Sequence, residues 1–347
     1  MYYVPTFVPQ TTMKRIRVAV VGLGYWGPNL ARNFIKIPGV ELGVLCDQDQ
    51  KKLNDVASAY PTAKKTTSFT ALLKDPELEF IAIATPLSTH FSLAKQALMT
   101  KKHVLLEKPM TKTSAQAREL IALAKKNRLL LAVGYTFVYT SAVRYIKNLL
   151  QKKVLGRIFY YDSTRINLGI LQPDTNVIWD LAVHDFSILN HIFPEKTLSL
   201  RAFASTHVRT TFEEMAHLII TYEHNVTAHI HVSWLSPVKI RRILIGGSKK
   251  MVTYDDIEPS EKIRIYDDSV RVSPASVTPF APAYRSGNAM IPHLDQTEAL
   301  YRELSHFVTC IRKHTTPETD GVQGLKVVEM LEAADRAVQT KSEVSLI

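Results

Sequence analysis

The chain has 347 residues, enough for two domains of ordinary size, and its 46% hydrophobic and 22% charged content is typical of globular proteins. No apolar run reaches the roughly 18 residues that span a bilayer, Met1–Thr12 lacks the features of a secretory signal, and two distant cysteines exclude a disulfide scaffold. The formal net charge of +11 suggests a nucleic-acid partner, but the basic residues are scattered, mostly in pairs, so we expect small anionic ligands or plain solubility instead.

The first half of the chain alternates strand-like and helix-like segments. The predicted strands are Ile16–Val21, Val40–Cys46, Phe80–Ala84, His103–Leu106 and Leu129–Val133. The predicted helices are Asn29–Ile37, Lys51–Tyr60, Ser88–Thr100 and Ser114–Asn127. Such alternation predicts a doubly wound parallel sheet. We therefore expect an α/β domain over residues 14–133 after a tail of residues 1–13, with Met13 as an alternative start.

The pattern changes near Gly134. A helix over Ser141–Lys152 and a strand over Arg157–Asp162 are followed by extended runs without intervening helices. The clearest runs are Leu218–Tyr222, Val226–Trp234, Ile240–Ile245 and Lys262–Tyr266. Two helices, Gln296–Lys313 and Val322–Gln339, close the chain. Residues 134–347 are therefore predicted to form an α+β domain with a mostly antiparallel sheet.

A glycine motif follows the first strand and precedes the first helix; its residues are Gly22, Leu23, Gly24, Tyr25, Trp26 and Gly27. In this context G-x-G-x-x-G predicts a dinucleotide site, because the glycines allow a tight turn, close approach to a pyrophosphate and close packing of helix on strand. The alternative is a strand–helix turn without a ligand. Asp47 ends the second strand and favours NAD by accepting from a ribose hydroxyl, although Lys51 and Lys52 leave NADP open.

Two further loops follow strands of the same sheet, where ligands of doubly wound folds bind. Thr85-Pro86 follows the strand Phe80–Ala84. Pro86 either fixes a loop beneath the nicotinamide ribose or is an ordinary loop proline, and the spacing favours neither. Glu107-Lys108-Pro109 follows the next strand, and a lysine there is able to stabilise an alkoxide as hydride leaves a substrate. On its own, Lys108 would be taken for a surface lysine.

With these motifs together, the sequence resembles the Gfo/Idh/MocA family, which includes glucose–fructose oxidoreductase and inositol dehydrogenase. The resemblance runs from about residue 14 to the end. It rests on the segments Val20–Gly27, Ala84–Pro86 with His90, Glu107–Pro109, Gly156–Ile158, Trp179–Asp185, Glu303–Phe307 and Asp320–Val328. The combination of the lysine motif with Asp-x-x-x-His is its most specific part.

The resemblance implies a Rossmann domain and a second domain with a large open-faced sheet, through which dimers or tetramers form. It extends the NAD site from the glycine motif and Asp47 to Thr85, Pro86, His90, Glu107 and Lys108. It also implies that Lys108 contacts substrate, that His184 is the general acid/base and that Asp180 is the accompanying acid.

The residues themselves agree with a catalytic pair. Asp180 and His184 are four apart and share a face if the segment is helical, so Asp180 would orient His184. Imidazole exchanges protons near neutral pH. Without Lys108 this pair would be an ordinary helix N-terminus. We also assign Trp179 to the substrate site, together with Arg165 and Asn167, for which a solvated strand end is the alternative.

The predicted reaction is hydride transfer between NAD(P) and a secondary hydroxyl or ketone of a sugar. The stretch Asn176–Trp179 replaces a glycine-rich one in many relatives, and Ala182 stands where many have glycine. This form resembles members of polysaccharide and nucleotide-sugar biosynthesis, which favours a nucleotide-linked or acidic sugar. A free cyclitol or sugar is the alternative substrate, and a non-catalytic dinucleotide sensor is the alternative function.

We expect a cytoplasmic enzyme with no nucleic-acid or membrane partner and no metal. The histidines His217, His224, His229 and His231 first suggest a metal site, but no Cys, Asp or Glu accompanies them at ligand spacing. Tyr135 and Phe137 follow the last strand of the first domain; one interpretation places them beside the nicotinamide, and the one we favour is plain core packing.

Overall fold

The computed structural model describes residues 15–169, 171–172, 174–208, 211–267, 269–272, 282–285 and 287–346. The predicted tail, residues 1–13, and the alternative start at Met13 lie outside these residues. The chain folds into two compact units. Unit 1 contains residues 15–107, Leu120–Ala132 and Leu300–Glu318, and unit 2 contains Lys108–Glu119, Val133–Ala299 and residues 319–346. The domain boundary near Gly134 stays a prediction.

A six-stranded sheet forms the centre of unit 1. Its strands are β1 (Ile16–Val21), β2 (Val40–Cys46), β3 (Lys64–Thr66), β4 (Phe80–Ile83), β5 (His103–Glu107) and β6 (Leu131–Gly134). The helices between them are α1 (Trp26–Phe34), α2 (Gln50–Ala57), α3 (Phe69–Leu73), α4 (Leu87–Met99) and α5 (Ser114–Asn127). The order is β3-β2-β1-β4-β5-β6, and β1 pairs in parallel with both β2 and β4. The doubly wound sheet is therefore confirmed, with its topological switch between β1 and β4.

Apolar strands buried on both faces build the core of unit 1. β1 is a run of β-branched and small apolar residues and is almost wholly buried, as expected of a central parallel strand. Phe80 of β4 contacts the rings of Phe34 and Phe307, with centroids 5.4 and 4.8 Å away. Phe307 belongs to a helix near the end of the chain, Ala299–Lys313, whose apolar face joins this core.

A nine-stranded sheet forms the centre of unit 2. The remaining strands of the chain are β7 (Ile158–Leu168), β8 (Thr197–Ser205), β9 (Met215–Tyr222), β10 (Val226–Ser233), β11 (Leu235–Gly247), β12 (Met251–Asp255), β13 (Ile263–Tyr266), β14 (Ser269–Val272), β15 (Pro282–Arg285), β16 (Ala289–Met290) and β17 (Val344–Ser345). The large sheet has the order β16-β13-β12-β11-β7-β10-β9-β8-β17, and β14 pairs with β15 separately. β7 and β10 are parallel, whereas the other paired neighbours are antiparallel. The predicted mostly antiparallel sheet is confirmed.

The helices that complete the chain are α6 (Ser141–Gln151), α7 (Val183–Ile192), α8 (Ala299–Lys313) and α9 (Gly321–Thr340). Single turns of other helix types lie at Thr136–Tyr139, Ile178–Ala182 and Glu223–Asn225. α9 packs on β8 and on α7, so one face of the large sheet is covered. Large apolar side chains remain exposed on other strand positions, such as Phe203 at 62% and Tyr160 at 41%. Within the described ranges, no helix is both long and apolar enough to cross a bilayer.

Candidate active site

The glycine motif forms a tight turn between β1 and α1. Gly22 has a φ of +88°, and a Cβ there would lie 2.5 Å from the carbonyl oxygen of Ala84. A Cβ on Gly27 would collide with the carbonyl oxygen of Gly22, so both positions require glycine. Around Gly24, in contrast, no atom of the described residues other than its chain neighbours lies within 4 Å of an added Cβ. The middle glycine therefore borders open space, as expected where a pyrophosphate approaches the backbone.

Asp47 follows β2 and is fixed by backbone donors. One carboxylate oxygen accepts from the backbone amide of Leu23, within the glycine motif, at 2.6 Å. The other accepts from the amide of Asp49 at 2.8 Å. A carboxylate oxygen is able to accept more than one hydrogen bond. Asp47 therefore retains the capacity to accept one from a ribose hydroxyl beside the motif. These residues fit an NAD-type dinucleotide.

The Thr85-Pro86 loop is held by the helix that follows it. His90 is buried, and its Nε2 lies 2.8 Å from the carbonyl oxygen of Thr85. The hydroxyls of Thr85 and Thr89 are 2.6 Å apart. His90 therefore positions the loop through its backbone, and its predicted cofactor contact stays a prediction. Glu107, at the end of β5, is also buried.

In unit 2, Lys108 lies in an ion pair with Asp180. Its ammonium donates to Asp180 Oδ1 and to the main-chain oxygen of Asp180, both at 2.9 Å. The second carboxylate oxygen of Asp180 accepts from the indole nitrogen of Trp234 at 3.0 Å. Both side chains of the ion pair are largely shielded, with 14% and 20% exposure. Met110, in the loop that carries Lys108, packs closely against Gly324 of α9. A Cβ on Gly324 would lie 2.5 Å from the Met110 sulfur, so this close packing requires glycine.

His184 lies at the start of α7, in a strongly cationic setting. Its ring makes an edge contact with Phe137, with centroids 4.9 Å apart. Burial lowers the pKa of His184 well below the usual value, and the charges of Lys108, Arg165 and Arg241 lower it further. Its Nδ1 is buried and has no hydrogen-bond partner within the described part of the chain. The imidazole is therefore neutral at physiological pH and able to accept a proton.

The expected orientation of His184 by Asp180 is wrong. The carboxylate of Asp180 pairs with the ammonium of Lys108 and accepts from Trp234, whereas Nδ1 of His184 has no partner among the described residues. Phe137 is also not plain core packing. Its ring contacts both His184 and the guanidinium of Arg165, whose carbon is 4.5 Å from the ring centroid.

The remaining predicted substrate residues occupy three different settings. Arg165 is buried, and its Nε donates to the fully buried Asp185 at 2.9 Å, so the solvated alternative is wrong for it. Asn167 is partly buried, and its Oδ1 has no partner among the residues described. The indole of Trp179 donates to Asp335 of α9 at 2.7 Å. Trp179 therefore ties the catalytic segment to α9, and its contact with substrate stays a prediction.

Two residues of this site escaped the sequence analysis, namely Trp234 and Arg241. Arg241 lies on β11 directly opposite Arg165 on β7, with its guanidinium carbon 5.8 Å from the Phe137 centroid. The Arg241-Arg242 pair was visible in sequence only as one basic pair among several. Trp234 is one of three tryptophans and is buried. The signal that its residue type offers is that the indole nitrogen of a buried tryptophan usually donates to an acceptor.

Comparison with known proteins places this site in a family. Residues 16–135 match a model described as an oxidoreductase family with an NAD-binding Rossmann fold, and residues 143–253 match the GFO/IDH/MocA C-terminal domain. An uncharacterised oxidoreductase of Escherichia coli K12, YdgJ, is 30% identical over 257 residues, which cover 71% of this chain and 73% of that protein. The chain belongs to the Gfo/Idh/MocA family of NAD-dependent oxidoreductases. The enzyme prediction is thereby confirmed over the dinucleotide sensor.

Relatives with named activities cover nearly the whole chain. A D-apiose dehydrogenase of Paraburkholderia graminis is 24% identical, covering 96% of this chain and 92% of its own. The solved structure of UDP-N-acetylglucosamine 3-dehydrogenase from Acidithiobacillus ferrooxidans superposes with a TM-score of 0.81 at 25% identity, covering 94% and 99% of the two chains. This chain is similar to dehydrogenases of a sugar and of a nucleotide sugar.

Proposed function

We propose that this protein is an NAD-dependent dehydrogenase that oxidises a secondary hydroxyl of a sugar, in the first instance a nucleotide-linked or acidic one, and that it acts in the cytoplasm. The observation that carries the proposal is the combination of Lys108, paired with Asp180 at 2.9 Å, and a neutral His184 in the same unit. The similarity to a nucleotide-sugar dehydrogenase over 94% of the chain supports the substrate class.

In the proposed reaction a bound nicotinamide ring supplies the acceptor for the hydride. Neutral His184 accepts the proton of the substrate hydroxyl, and because Nδ1 is sealed from solvent we assign this step to Nε2. The Lys108 ammonium donates a hydrogen bond to the oxygen on which negative charge develops. Asp180 keeps the ammonium in place through two contacts at 2.9 Å, one from its side chain and one from its main chain. The carbinol loses one proton and one hydride and becomes a ketone.

The test is a screen of nucleotide sugars, acidic sugars and free polyols with both NAD and NADP, followed by the absorbance of the reduced cofactor. With the best substrate, Lys108→Met and His184→Asn should each lower turnover by at least about 10²-fold, and His184→Asn should leave NADH affinity unchanged. The matched controls are Lys112→Met and His314→Asn, which change exposed residues of the same types. Full activity of either catalytic variant would refute the assignment, and turnover only of free cyclitols would refute the substrate class.

We further propose a homodimer or homotetramer formed through the uncovered face of the nine-stranded sheet. Exposed Phe203 and Ile219 lie on neighbouring strands of this face, next to the histidines His217, His229 and His231. The rings of His217 and His231 are stacked with centroids 4.2 Å apart. An uncovered apolar sheet face is a typical site of self-association, and light scattering on the full chain measures the state directly.

A further inference from the structure

Unit 2 contains a cavity apart from the proposed catalytic residues. It has a volume of about 1040 Å³ and is lined where α6, the turn after it, the end of α7, the β11–β12 turn and α9 come together. Its lining includes neither Lys108 nor Asp180 nor His184. The volume lies at the upper end of the range for small-molecule sites, about 300–1000 Å³. We call it the basic cavity.

Cations dominate the lining of the basic cavity. Among the described lining residues, five carry a positive charge, and Glu195 is the one acid. The five are Lys147, Lys153, Arg157, Lys249 and Lys326. Such an excess of charge of one sign raises the local concentration of anions and stabilises a bound anion. Two of the basic pairs visible in sequence, Lys152-Lys153 and Lys249-Lys250, thus each bring one lysine to the same cavity.

Most of these cations are not engaged by carboxylates. Within the described residues, Lys153, Arg157, Lys249 and Lys326 have no ion-pair partner. Arg157 instead lies over the ring of Phe159, with its guanidinium carbon 5.3 Å from the centroid, which restrains its fork of donors. Four cations that line one cavity without carboxylate partners repel one another, and a bound anion would relieve that repulsion.

The backbone around the cavity holds the basic residues in a fixed arrangement. The amide of Arg157 donates to the hydroxyl of Ser248 at 3.0 Å, and the amide of Ser248 donates to the carbonyl of Arg157 at 2.8 Å. The amide of Lys249 donates to the carbonyl of Leu155 at 2.9 Å. The backbones of Arg157 and Lys249 are therefore held side by side, so both side chains start from fixed positions at the rim of the cavity.

A neutral donor accompanies the cations. The Nδ2 atom of Asn190, in the last turn of α7, is buried and has no hydrogen-bond partner in the described part of the structure. Buried donors without acceptors are rare because they are costly, and since this atom is shielded from solvent, a rotation of the side chain is needed for it to donate to a ligand in the cavity. Asn190 also lines the cavity.

From these observations we propose that the basic cavity is a second ligand site, separate from the catalytic one, for a small organic molecule that carries two or more phosphate charges. Arg157 and Lys249 bind one phosphate, since a guanidinium fork and an ammonium match its oxygens. Lys153 and Lys326 provide charge for a second. The volume is larger than pyrophosphate alone requires, so an organic group occupies part of the cavity. This proposal does not depend on the substrate of the dehydrogenase.

The experiment is isothermal titration calorimetry on the full chain with one equivalent of NADH bound, at low ionic strength, with pyrophosphate and ADP as the two probes. We expect a single additional site, tighter for ADP than for pyrophosphate. The variant Arg157→Gln/Lys249→Gln should weaken this binding by at least about 10-fold, because two charged hydrogen-bond donors are lost. The matched control Lys125→Gln/Lys126→Gln removes two exposed charges from the last turn of α5 and should change affinity by less than about twofold.

Unchanged NADH affinity and thermal unfolding show that the variants are folded. Lys326→Gln, a single change on exposed α9 surface, provides a second test that leaves the Leu155–Lys249 turn intact. Absence of a second site for both probes would overturn the proposal, as would equal affinity of the wild-type and the cavity variant. Equal affinity for ADP and pyrophosphate would overturn the assignment to an organic ligand.

Discussion

The replacement Arg241→Gln tests the electrostatic account of His184 most directly. The positive charge of Arg241 disfavours protonation of His184, so removing it must raise the pKa of the imidazole. Arg241 is paired with Asp256 at 3.5 Å, and the substitution leaves that carboxylate without its cation. The released negative charge acts in the same direction as the lost positive charge.

The size of the effect follows from the shared contact with Phe137. The ring centroid is 4.9 Å from that of His184 and 5.8 Å from the guanidinium carbon of Arg241, so the two charges are at most about 11 Å apart. Arg241 is partly exposed, so the effective permittivity lies between about 20 and 80, and the Coulomb energy is at least about 0.4 to 1.5 kcal/mol. The protonation constant of His184 should therefore rise about two- to tenfold.

The assay is an NMR titration of ¹⁵N-histidine-labelled protein, in which the His184→Asn variant assigns the resonance. It requires no substrate and so stands apart from the proposed reaction. Arg242→Gln is the matched control, since Arg242 is the next residue of β11, exposed and on the other side of the sheet. We expect the midpoint of the His184 titration to move to higher pH in Arg241→Gln only. An unchanged or lower midpoint would show that the charge of Arg241 does not contribute to keeping His184 neutral.

Three further predictions concern the two glycines of the cofactor turn and the stability of the fold in acid. Gly24→Ala should leave thermal unfolding unchanged but lower NADH affinity at least about 10-fold, measured by fluorescence, because its Cβ meets only the space of the ligand. Gly27→Ala should lower the unfolding temperature, since its Cβ meets the carbonyl of Gly22. Burial lowers the pKa of His217 and His231, so the stability they contribute is present above about pH 6.5 and lost below it. His217→Gln/His231→Gln should therefore flatten the fall in unfolding temperature on acidification to pH 5, and an unchanged fall would contradict this.

Local signals in the sequence predicted the elements of unit 1 well. The strand Val40–Cys46 and the helix Ser114–Asn127 have the predicted bounds, because apolar runs and helical periodicity mark them directly. The short strand β3, with its two lysines, has no such run and was missed. The helix at Trp26 begins inside the glycine motif, three residues earlier than predicted, since glycine and aromatic residues are weak helix formers.

Contacts between distant segments were not predictable in this way. The closing helix Ala299–Lys313 was found, but no local pattern shows that Leu304 and Phe307 join the core of unit 1. β7 extends to Leu168, six residues beyond its predicted end, because pairing with β10 and β11 sustains it through polar residues. Lys108 and His184 were found by motif. The positions of Trp234, which donates to Asp180, and of Arg241, whose charge acts on His184, depend on strand register, which one sequence does not fix.

Asp180 explains how two groups with opposite requirements share one site. A lysine that stabilises an alkoxide must keep its charge, whereas a histidine that accepts a proton must be neutral. The carboxylate binds the ammonium of Lys108 directly and accepts from the indole of Trp234, so the ammonium is held in place. Because it does not contact His184, it leaves the imidazole exposed to the charges of Lys108, Arg165 and Arg241. A carboxylate bonded to the imidazole, as the sequence suggested, would raise the pKa of His184 and favour the imidazolium relative to the observed arrangement. The observed pairing is thus the one that suits oxidation of an alcohol.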